Sequence, residues 1–317
     1  MRKYCMFSND VETTSIWHNS LRDETGLKVW KEGMPRLLDL YEKYQIKTTF
    51  FFTGHIARLY PDIVKMVIPH GHEVGSHGLS HHKEDGFDVM PLDMQKEHLT
   101  ESKKILEDIS GEEIISFRAP ALRVNNETVL ALKECGFKID SSVASQRFDM
   151  FMSFGGVEKL KWLTAPRKPY ITSDSSLFKR GENGVVEVPV SASILPYLST
   201  TMRIFPKITR FQRSILAKET AMTGKPIVFI THPNEFIDES GEKREENKRA
   251  SNPLASFLQD TVRSRLKTKN LGIEGIPIYE GHLKYFVQNG FRFSTIRDYC
   301  LENGLLKNSY AASEFQT

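Results

Sequence analysis

The sequence predicts an α/β fold built on a parallel sheet or barrel, and two observations carry this prediction. Short β-branched and aromatic segments alternate with amphipathic segments of helical period, in the order strand, helix, strand, helix. Several strand segments are directly followed by acids, histidines or an arginine. This is the pattern expected where the carboxyl ends of parallel strands surround one opening of a barrel. The 317 residues suffice for one large α/β domain or two smaller ones.

The first predicted strand covers residues 4–8 and leads into Asn9-Asp10-Val11-Glu12. Residues two apart in an extended segment point the same way, so Asp10 and Glu12 can face one cavity. Two neighbouring carboxylates repel each other, so placing both in one cavity costs free energy unless a cation or a shared proton offsets the charge. The alternative is a polar loop in which Asp10 caps a turn.

The remaining elements follow from hydrophobic period and from turn residues. Trp30, Met34, Leu37 and Tyr41 recur with helical spacing in the first predicted helix. The predicted helices are residues 29–44, 61–69, 94–109, 126–135 and 281–289. The predicted strands after the first are residues 48–53, 73–74, 114–117, 137–139, 227–230 and 291–294.

A glycine-flanked histidine stretch at residues 71–82 is the first candidate metal site. Its spacing places His77 and His81 four residues apart, on the same side of one helical turn. Neutral imidazole is the commonest protein ligand for a divalent metal. A solvated histidine-rich loop is the alternative, but the three glycines indicate a tight backbone path after a short buried strand.

Two segments interrupt the alternation of strands and helices. Residues 143–215 contain several Pro and Ser residues and a candidate glycine-rich hairpin at 180–188. Residues 237–275 contain a charge run at 242–249, which is typical of a solvated face or a mobile loop. We expect both segments to be insertions or loops around the barrel mouth of a single domain.

Composition and charge limit the kinds of partner and the cellular location that the sequence favours. The formal net charge of +3 is too small to favour nucleic acid or an anionic membrane as a partner. No apolar run is long enough to span a bilayer, so we expect no transmembrane segment. Three cysteines without close pairing fit reduced thiols, and acids appear before a signal-peptide core could form. These features lead us to expect a cytoplasmic protein.

In chain order, these motifs resemble the polysaccharide deacetylase family, which has the NodB homology fold and is also grouped as carbohydrate esterase family 4. The resemblance covers roughly residues 4–142 and 225–300, and it implies a distorted (β/α)7 TIM-like barrel of NodB type. The matching motifs are Asp10-Val11-Glu12, Thr49-Phe50-Phe51-Phe52-Thr53-Gly54, Gly71-His72-Glu73-Val74-Gly75-Ser76-His77 with His81, Phe117-Arg118-Ala119-Pro120, Gly136-Phe137-Lys138-Ile139-Asp140-Ser141-Ser142 and Ile230-Thr231-His232-Pro233.

The resemblance also implies roles for individual residues. His77 and His81 would bind one divalent metal together with an acid of the first motif, with zinc expected and iron, cobalt or nickel as alternatives. The second acid would act as general base. Arg118 would orient that base, and His232 would protonate the departing amine. Asp140 is a further candidate catalytic residue that would tune the late histidine or bind substrate, unless it only caps a turn with the serines after it.

The first motif departs from the adjacent acids that most family members carry, and two alignments remain open. In the first, Asp10 is the base and Glu12 is the metal ligand. In the second, Asn9 and Asp10 occupy the adjacent pair, so Asp10 holds the metal and the base position is an inert amide. Strand periodicity favours the first, because it puts Asp10 and Glu12 on one side.

The activity expected from this resemblance is metal-dependent removal of an N-acyl group, most simply acetyl, from an amino sugar. The expected cytoplasmic location suggests a nucleotide- or lipid-linked sugar precursor as substrate, within polysaccharide or glycoconjugate biosynthesis. Two alternatives stay open: another amide hydrolase on the same scaffold, such as a deformylase or a cyclic ureide or imide hydrolase, and a catalytically inactive sugar-binding member.

Overall fold

The computed structural model describes residues 2–145, 161–193, 195–243 and 266–306, in which helices and strands alternate. The strands are β1 (Tyr4–Val11), β2 (Thr14–Ser15), β3 (Ser20–Leu21), β4 (Thr49–Phe52), β5 (Glu73–Ser76), β6 (Ser116–Phe117), β7 (Ile139–Asp140), β8 (Tyr170–Ser173), β9 (Ser176–Arg180), β10 (Val186–Glu187), β11 (Ile227–Thr231) and β12 (Arg292–Phe293). The helices are α1 (Asp23–Lys28), α2 (Met34–Lys43), α3 (Gly54–Leu59), α4 (Pro61–Lys65), α5 (Leu92–Ser110), α6 (Thr128–Glu134), α7 (Ser199–Ile204), α8 (Pro206–Thr223), α9 (Gly275–Gln288) and α10 (Ile296–Glu302).

The main sheet is parallel and curled. Neighbouring strands follow the order β11-β1-β4-β5-β6-β7-β10, and every pair in this series is parallel. Beyond β10, the backbone N–H of Ser191 donates to the carbonyl of Val228 on β11 at 3.0 Å, so the two ends of the sheet meet. The short strand β12 pairs with the start of β1. The prediction of a parallel α/β barrel is confirmed.

Alternation along β1 separates two apolar layers. Phe7 belongs to the core between the sheet and the surrounding helices, whereas Met6 packs with Phe51 and Val228 in a second, smaller core. Side chains of successive strand residues point to opposite faces, so Met6, Ser8 and Asp10 share the inner face. Apolar side chains therefore fill the lower part of the barrel, and polar groups lie nearer the carboxyl ends of the strands.

The first helical region is longer than predicted. The predicted helix at 29–44 corresponds to a π-helical turn at Val29–Gly33 followed by α2, and α1 precedes them. Gly33 ends the π-helical turn, and a side chain has no space there, because a Cβ would lie 2.4 Å from the carbonyl oxygen of Pro233. The backbone thus passes very close to the segment that follows β11.

The histidine stretch does not form the helical turn that its spacing predicted. β5 is extended through Ser76, and the chain then continues as an irregular loop. Gly78 adopts a positive φ of 71°, which favours glycine and turns the chain here. The loop nevertheless brings the rings of His77 and His81 together, with their centroids 5.8 Å apart.

The segment 143–215 contributes to the sheet as well as to its surroundings. The predicted hairpin at 180–188 is wrong in its pairing: β9 and β10 do not pair with each other, because both pair with β8. β10 also joins β7 in parallel. Two helices that the sequence analysis did not predict, α7 and α8, follow. Residues 146–160 of this segment lie outside the described residues.

Only the start of the charge run at 242–249 lies among the described residues. Glu242 is held rather than freely solvated, because it accepts hydrogen bonds from Arg22 and Lys28, both at 2.7 Å, and its Oε2 lies 2.9 Å from Nε2 of His18. None of the helices in the described ranges combines the length and the apolar character that crossing a bilayer requires.

Candidate active site

Asp10 and Arg118 form a buried ion pair at the mouth of the barrel. Nη1 of Arg118 donates to Oδ1 of Asp10 at 2.9 Å and also lies 2.7 Å from Oγ of Ser8. Nε and Nη2 of Arg118 donate to the carbonyl and hydroxyl of Ser141. Its guanidinium lies 4.4 Å from the centre of the Phe51 ring. These contacts fix the orientation of the Asp10 carboxylate.

The charges around Asp10 determine its ionisation. Burial alone would raise the pKa of this carboxyl, but Arg118, His77 and His232 outweigh burial and hold the pKa below its ordinary value. Oδ2 of Asp10 lies 3.9 Å from Nε2 of His77 and 3.9 Å from Nε2 of His232. Asp10 is therefore an ionised carboxylate at neutral pH, with two imidazoles near its second oxygen.

Glu12, His77 and His81 form a group whose ligand atoms all lie within 4.8 Å of one another. Oε2 of Glu12 is 3.1 Å from Nε2 of His81. The backbone positions come from two different strands, because Glu12 follows β1 and both histidines follow β5, with β4 between them. Among the described residues, this is the one cluster of three such side chains that could share a metal ion.

His77 is prepared to act as a neutral ligand. Its Nδ1 lies 2.7 Å from the backbone carbonyl of Arg118, an acceptor, so Nδ1 carries the proton and Nε2 keeps a free lone pair. Burial lowers the pKa of His77, although the charge of Asp10 opposes this shift. The neutral imidazole is therefore the favoured form before any cation binds.

The donor set fits a divalent cation. Glu12 is 5% exposed, and its buried Oε2 forms no hydrogen bond among the described residues, although Nε2 of His81 lies 3.1 Å away. A buried carboxylate oxygen without a donor is costly, and a cation would satisfy it. Two imidazoles with one carboxylate suit zinc, iron or cobalt rather than calcium or magnesium.

His232 follows β11 and faces the same mouth. Its side chain is 24% exposed, whereas that of Asp10 is only 5% exposed. Nδ1 of His232 lies 3.4 Å from Oγ of Ser199 and 3.8 Å from Oε1 of Glu235. Sequence reasoning missed Glu235, although its position three residues after His232 was a signal. Burial would raise the pKa of Glu235, but Arg203 and His232 lower it.

The structure does not bring Asp140 to this group. Ser141 contacts Arg118 on the inner face, so alternation along β7 directs the side chain of Asp140 to the opposite face. There its Oδ1 accepts a hydrogen bond from Ser142 at 2.6 Å. Its register partner on β10 is Glu187, which sequence reasoning also missed.

Asp140 and Glu187 are two fully buried acids side by side. Burial and the charge of Asp140 raise the pKa of Glu187 well above its ordinary value, and burial raises the pKa of Asp140 as well. Oε1 of Glu187 accepts the backbone N–H of Val143 at 3.1 Å. Two carboxylates this close cannot both ionise at low cost, so the pair holds a proton.

Asn9 lies on the other face of β1. Its carbonyl oxygen accepts from the hydroxyl of Tyr41 at 2.7 Å, and its amide donates to Oγ1 of Thr48 at 3.2 Å. These partners belong to the layer between the sheet and α2, so the Asn9 side chain points away from His77 and His81.

A cavity of about 150 Å³ adjoins the candidate metal ligands and shares His81 with them. Thr13, Thr53 and Ser80 line it with hydroxyl groups. Asp23 and His55 form part of its wall and approach each other to 2.8 Å. The cavity thus offers donors and acceptors beside the candidate metal centre.

Comparison with known proteins finds a family model that matches part of the chain. Residues 24–139 match the family model described as polysaccharide deacetylase. Over this part of the chain the sequence is similar to the polysaccharide deacetylase family. The resemblance predicted from the sequence is thereby confirmed. The matched range contains His77, His81 and Arg118, and the remaining candidate site residues lie outside it: Asp10, Glu12, Asp140 and His232.

A relative and two solved structures extend this comparison. The chain is 31% identical over 146 residues to the peptidoglycan deacetylase of Helicobacter pylori, an alignment that covers 44% of this chain and 49% of that protein. The chain thus spans about half the length of this relative. A structure described as a probable polysaccharide deacetylase from Pseudomonas aeruginosa PAO1 superposes with a TM-score of 0.60 at 15% identity, covering 94% of this chain and 89% of that one. PuuE allantoinase superposes with a TM-score of 0.53 at 15% identity, covering 92% of each chain. These two superpositions show the shared fold, the NodB (β/α)7 barrel.

Proposed function

We propose that this protein is a metal-dependent hydrolase that removes an N-acyl group, most simply acetyl, from an amino sugar. The observation that carries the proposal is the convergence of Glu12, His77 and His81 beside the oriented carboxylate of Asp10. The family assignment supports a deacetylase activity, and the name of the H. pylori relative supports an amino sugar in a polymer or its precursor.

In this proposal, Glu12, His77 and His81 hold one divalent cation, with zinc as the expected ion. When bound, such a cation polarises the acyl carbonyl and makes water a stronger acid. Two residues of the chain, Asp10 and His232, then carry out the proton transfers of the reaction.

Asp10 is the proposed general base. Its Oδ1 is occupied by Arg118, which leaves Oδ2 to accept a proton from the attacking water. The water oxygen bonds to the acyl carbon, and the bond from that carbon to the sugar nitrogen breaks. Because Asn9 points to the other face of β1, the alignment that makes Asp10 a base and Glu12 a ligand is the one we adopt.

His232 is the proposed general acid. Its imidazole is partly exposed at the mouth, and protonation of the departing amine nitrogen requires a donor that substrate can reach. Ser199 and Glu235 contact its Nδ1 side and hold the ring with Nε2 toward Asp10. The hydroxyl-lined cavity beside His81 would hold a further part of the carbohydrate.

The test is acetate release from an N-acetylglucosamine oligomer, measured with bound metal determined in the same samples. We expect release that stops on thorough chelation and returns with added zinc, cobalt or iron. Asp10→Asn should lower the rate by about 10²- to 10⁴-fold while keeping the metal. Glu12→Gln should lose the metal. Asp62→Asn changes an exposed acid of α4 and serves as the matched control.

Three outcomes would contradict the proposal. Full activity after chelation would indicate a metal-free amide hydrolase. Sugar binding without release of any acyl group would indicate an inactive binding member. Loss of metal in Asp10→Asn, with metal kept in Glu12→Gln, would reverse the assigned roles of the two acids.

A further inference from the structure

The outer surface of α8 carries a row of exposed apolar side chains. Ile208, Phe211, Ile215 and Met222 follow one another at intervals of three, four and seven residues, which places them on one side of the helix. They are 51%, 70%, 44% and 82% exposed, respectively, and Phe205, just before the helix, is 41% exposed. We call these five residues the α8 stripe.

The α8 stripe is separate from the face through which α8 joins the barrel. That face consists of Thr209, Gln212, Leu216 and Thr220, all buried. Large apolar side chains scattered singly over a surface need no explanation, but a contiguous row is typical of an interaction site. The stripe extends over 18 residues, which is about 27 Å of helix.

Cations border the α8 stripe along one edge. Lys207, Arg210 and Lys218 are exposed, and none of them forms an ion pair within the described ranges. Near the start of the helix, Nζ of Lys269 lies 3.2 Å from the carbonyl of Ile204. An exposed apolar row beside unpaired cations is the pattern of a helix that lies in the interface of an anionic membrane.

The charges argue against a second copy of the chain as the occupant. The acid of α8, Glu219, is already neutralised by Arg167 and Lys225, at 2.7 and 2.9 Å. A two-fold interface pairs the same patch from both copies, so it would bring the cations of both helices together without an opposing acid. An anionic surface supplies the charge that α8 lacks, so the local group of cations on α8 favours such a surface although the small net charge of the whole chain does not.

We propose that the α8 stripe docks this protein on the surface of a membrane that contains anionic lipid. The apolar side chains enter the boundary between headgroups and acyl chains, while Lys207, Arg210 and Lys218 contact phosphate groups. α7 connects this surface to the candidate active site, because Ser199 at its start contacts His232 and Pro206, directly after Phe205, begins α8. The proposal does not depend on the proposed function.

The experiment is co-sedimentation of the full chain with vesicles of phosphatidylcholine alone or with roughly one third phosphatidylglycerol. We expect binding to the anionic vesicles that weakens with salt. Phe211→Ser with Ile215→Ser should lower the partition coefficient about tenfold or more. Reversing Lys207, Arg210 and Lys218 to Glu should lower it on the order of 100-fold. Val89→Ser removes a comparably exposed apolar side chain elsewhere and should leave binding unchanged.

Several results would overturn the proposal. These are equal binding to both kinds of vesicle, no binding to anionic vesicles at low salt, or equal loss of binding in Val89→Ser. A concentration-dependent dimer in light scattering that Phe211→Ser abolishes would assign the α8 stripe to a second copy instead. Circular dichroism of each variant verifies folding, which these exposed positions should not affect.

Discussion

The buried acids Asp140 and Glu187 show how one residue can make stability depend on pH. Their side chains are fully buried on neighbouring strands, and the pKa of Glu187 is raised well above its ordinary value by burial and by Asp140. In the unfolded chain a glutamate ionises near pH ~4.3. Above that pH, unfolding releases the proton that the folded pair retains. The stability contributed by Glu187 is therefore complete at lower pH and is lost as the pH rises toward its folded-state pKa.

Glu187→Gln should become progressively more stable than the native protein as the pH rises from 5 to 7. Glutamine does not titrate, so unfolding of the variant releases no proton at this position. Its amide oxygen can still accept a hydrogen bond from the backbone N–H of Val143. The difference in unfolding free energy should grow by at most about 1.4 kcal/mol per pH unit. Urea unfolding at several pH values measures it. Glu182→Gln, in the exposed turn before β10, should show no such trend, and a pH-independent difference for Glu187→Gln would contradict the prediction.

The sequence indicated some site residues and missed others for physical reasons. Asp10, Glu12, His77 and His81 were detectable because each lies near the end of a predicted strand in a short motif. Glu187 is the second residue of the two-residue strand β10, which is too short to show any period, and its partner Asp140 is distant in sequence. Contacts of this kind are set by the closing of the barrel.

At the scale of elements, β5 requires a glycine at its centre. A Cβ on Gly75 would lie 2.7 Å from Cδ1 of Phe51 on β4 and 3.1 Å from the carbonyl oxygen of Ser116 on β6. The two neighbouring strands thus approach β5 from both sides. The loop that carries His77 and His81 begins directly after this strand, where the backbone N–H of His77 donates to the carbonyl of Phe52 at 2.8 Å.

Gly75→Ala should destabilise the protein by about 1–3 kcal/mol, because the added methyl group has no space. Gly281→Ala is the matched control. Gly281 lies within α9, where an added Cβ meets no atom within 4 Å. Alanine there should stabilise by about 0.5–1 kcal/mol. Urea unfolding of both variants tests the contrast, and a loss of stability in both, or in neither, would show that close packing around β5 is not the cause.

Element prediction was most successful where the hydrophobic period was long and clear. α5 was expected at 94–109 and extends over Leu92–Ser110, and β4 was expected at 48–53 and covers Thr49–Phe52. α8 was missed, because a surface helix is normally recognised by a buried apolar face and an exposed polar face. In α8 a row of apolar side chains is exposed, and most of the buried residues are polar.

At the scale of the whole molecule, the candidate metal centre joins parts of the chain that are far apart in sequence. Glu12 follows the strand that pairs with β11, and His77 and His81 follow β5. A cation that binds this group in the folded state and not in the unfolded chain would stabilise the entire barrel.

Thermal unfolding of the chelated protein should shift to higher temperature as zinc is added. At a free zinc concentration of 100 times the dissociation constant, the gain is about 2.7 kcal/mol. Glu12→Gln should lose most of this shift, because it removes the charged ligand. Calorimetry with increasing zinc measures the effect, and Asp62→Asn should keep it. An equal shift in Glu12→Gln would place the stabilising ion elsewhere.

The position of β1 has a consequence during synthesis. β1 leaves the ribosome before β11 and β12, with which it pairs and which emerge after residue 226. Until β11 is synthesised, the backbone of residues 5–9 lacks the neighbour that will cover this edge. Until β11 arrives, this edge of β1 can pair with other chains, and a premature stop codon before β11 would leave the edge open.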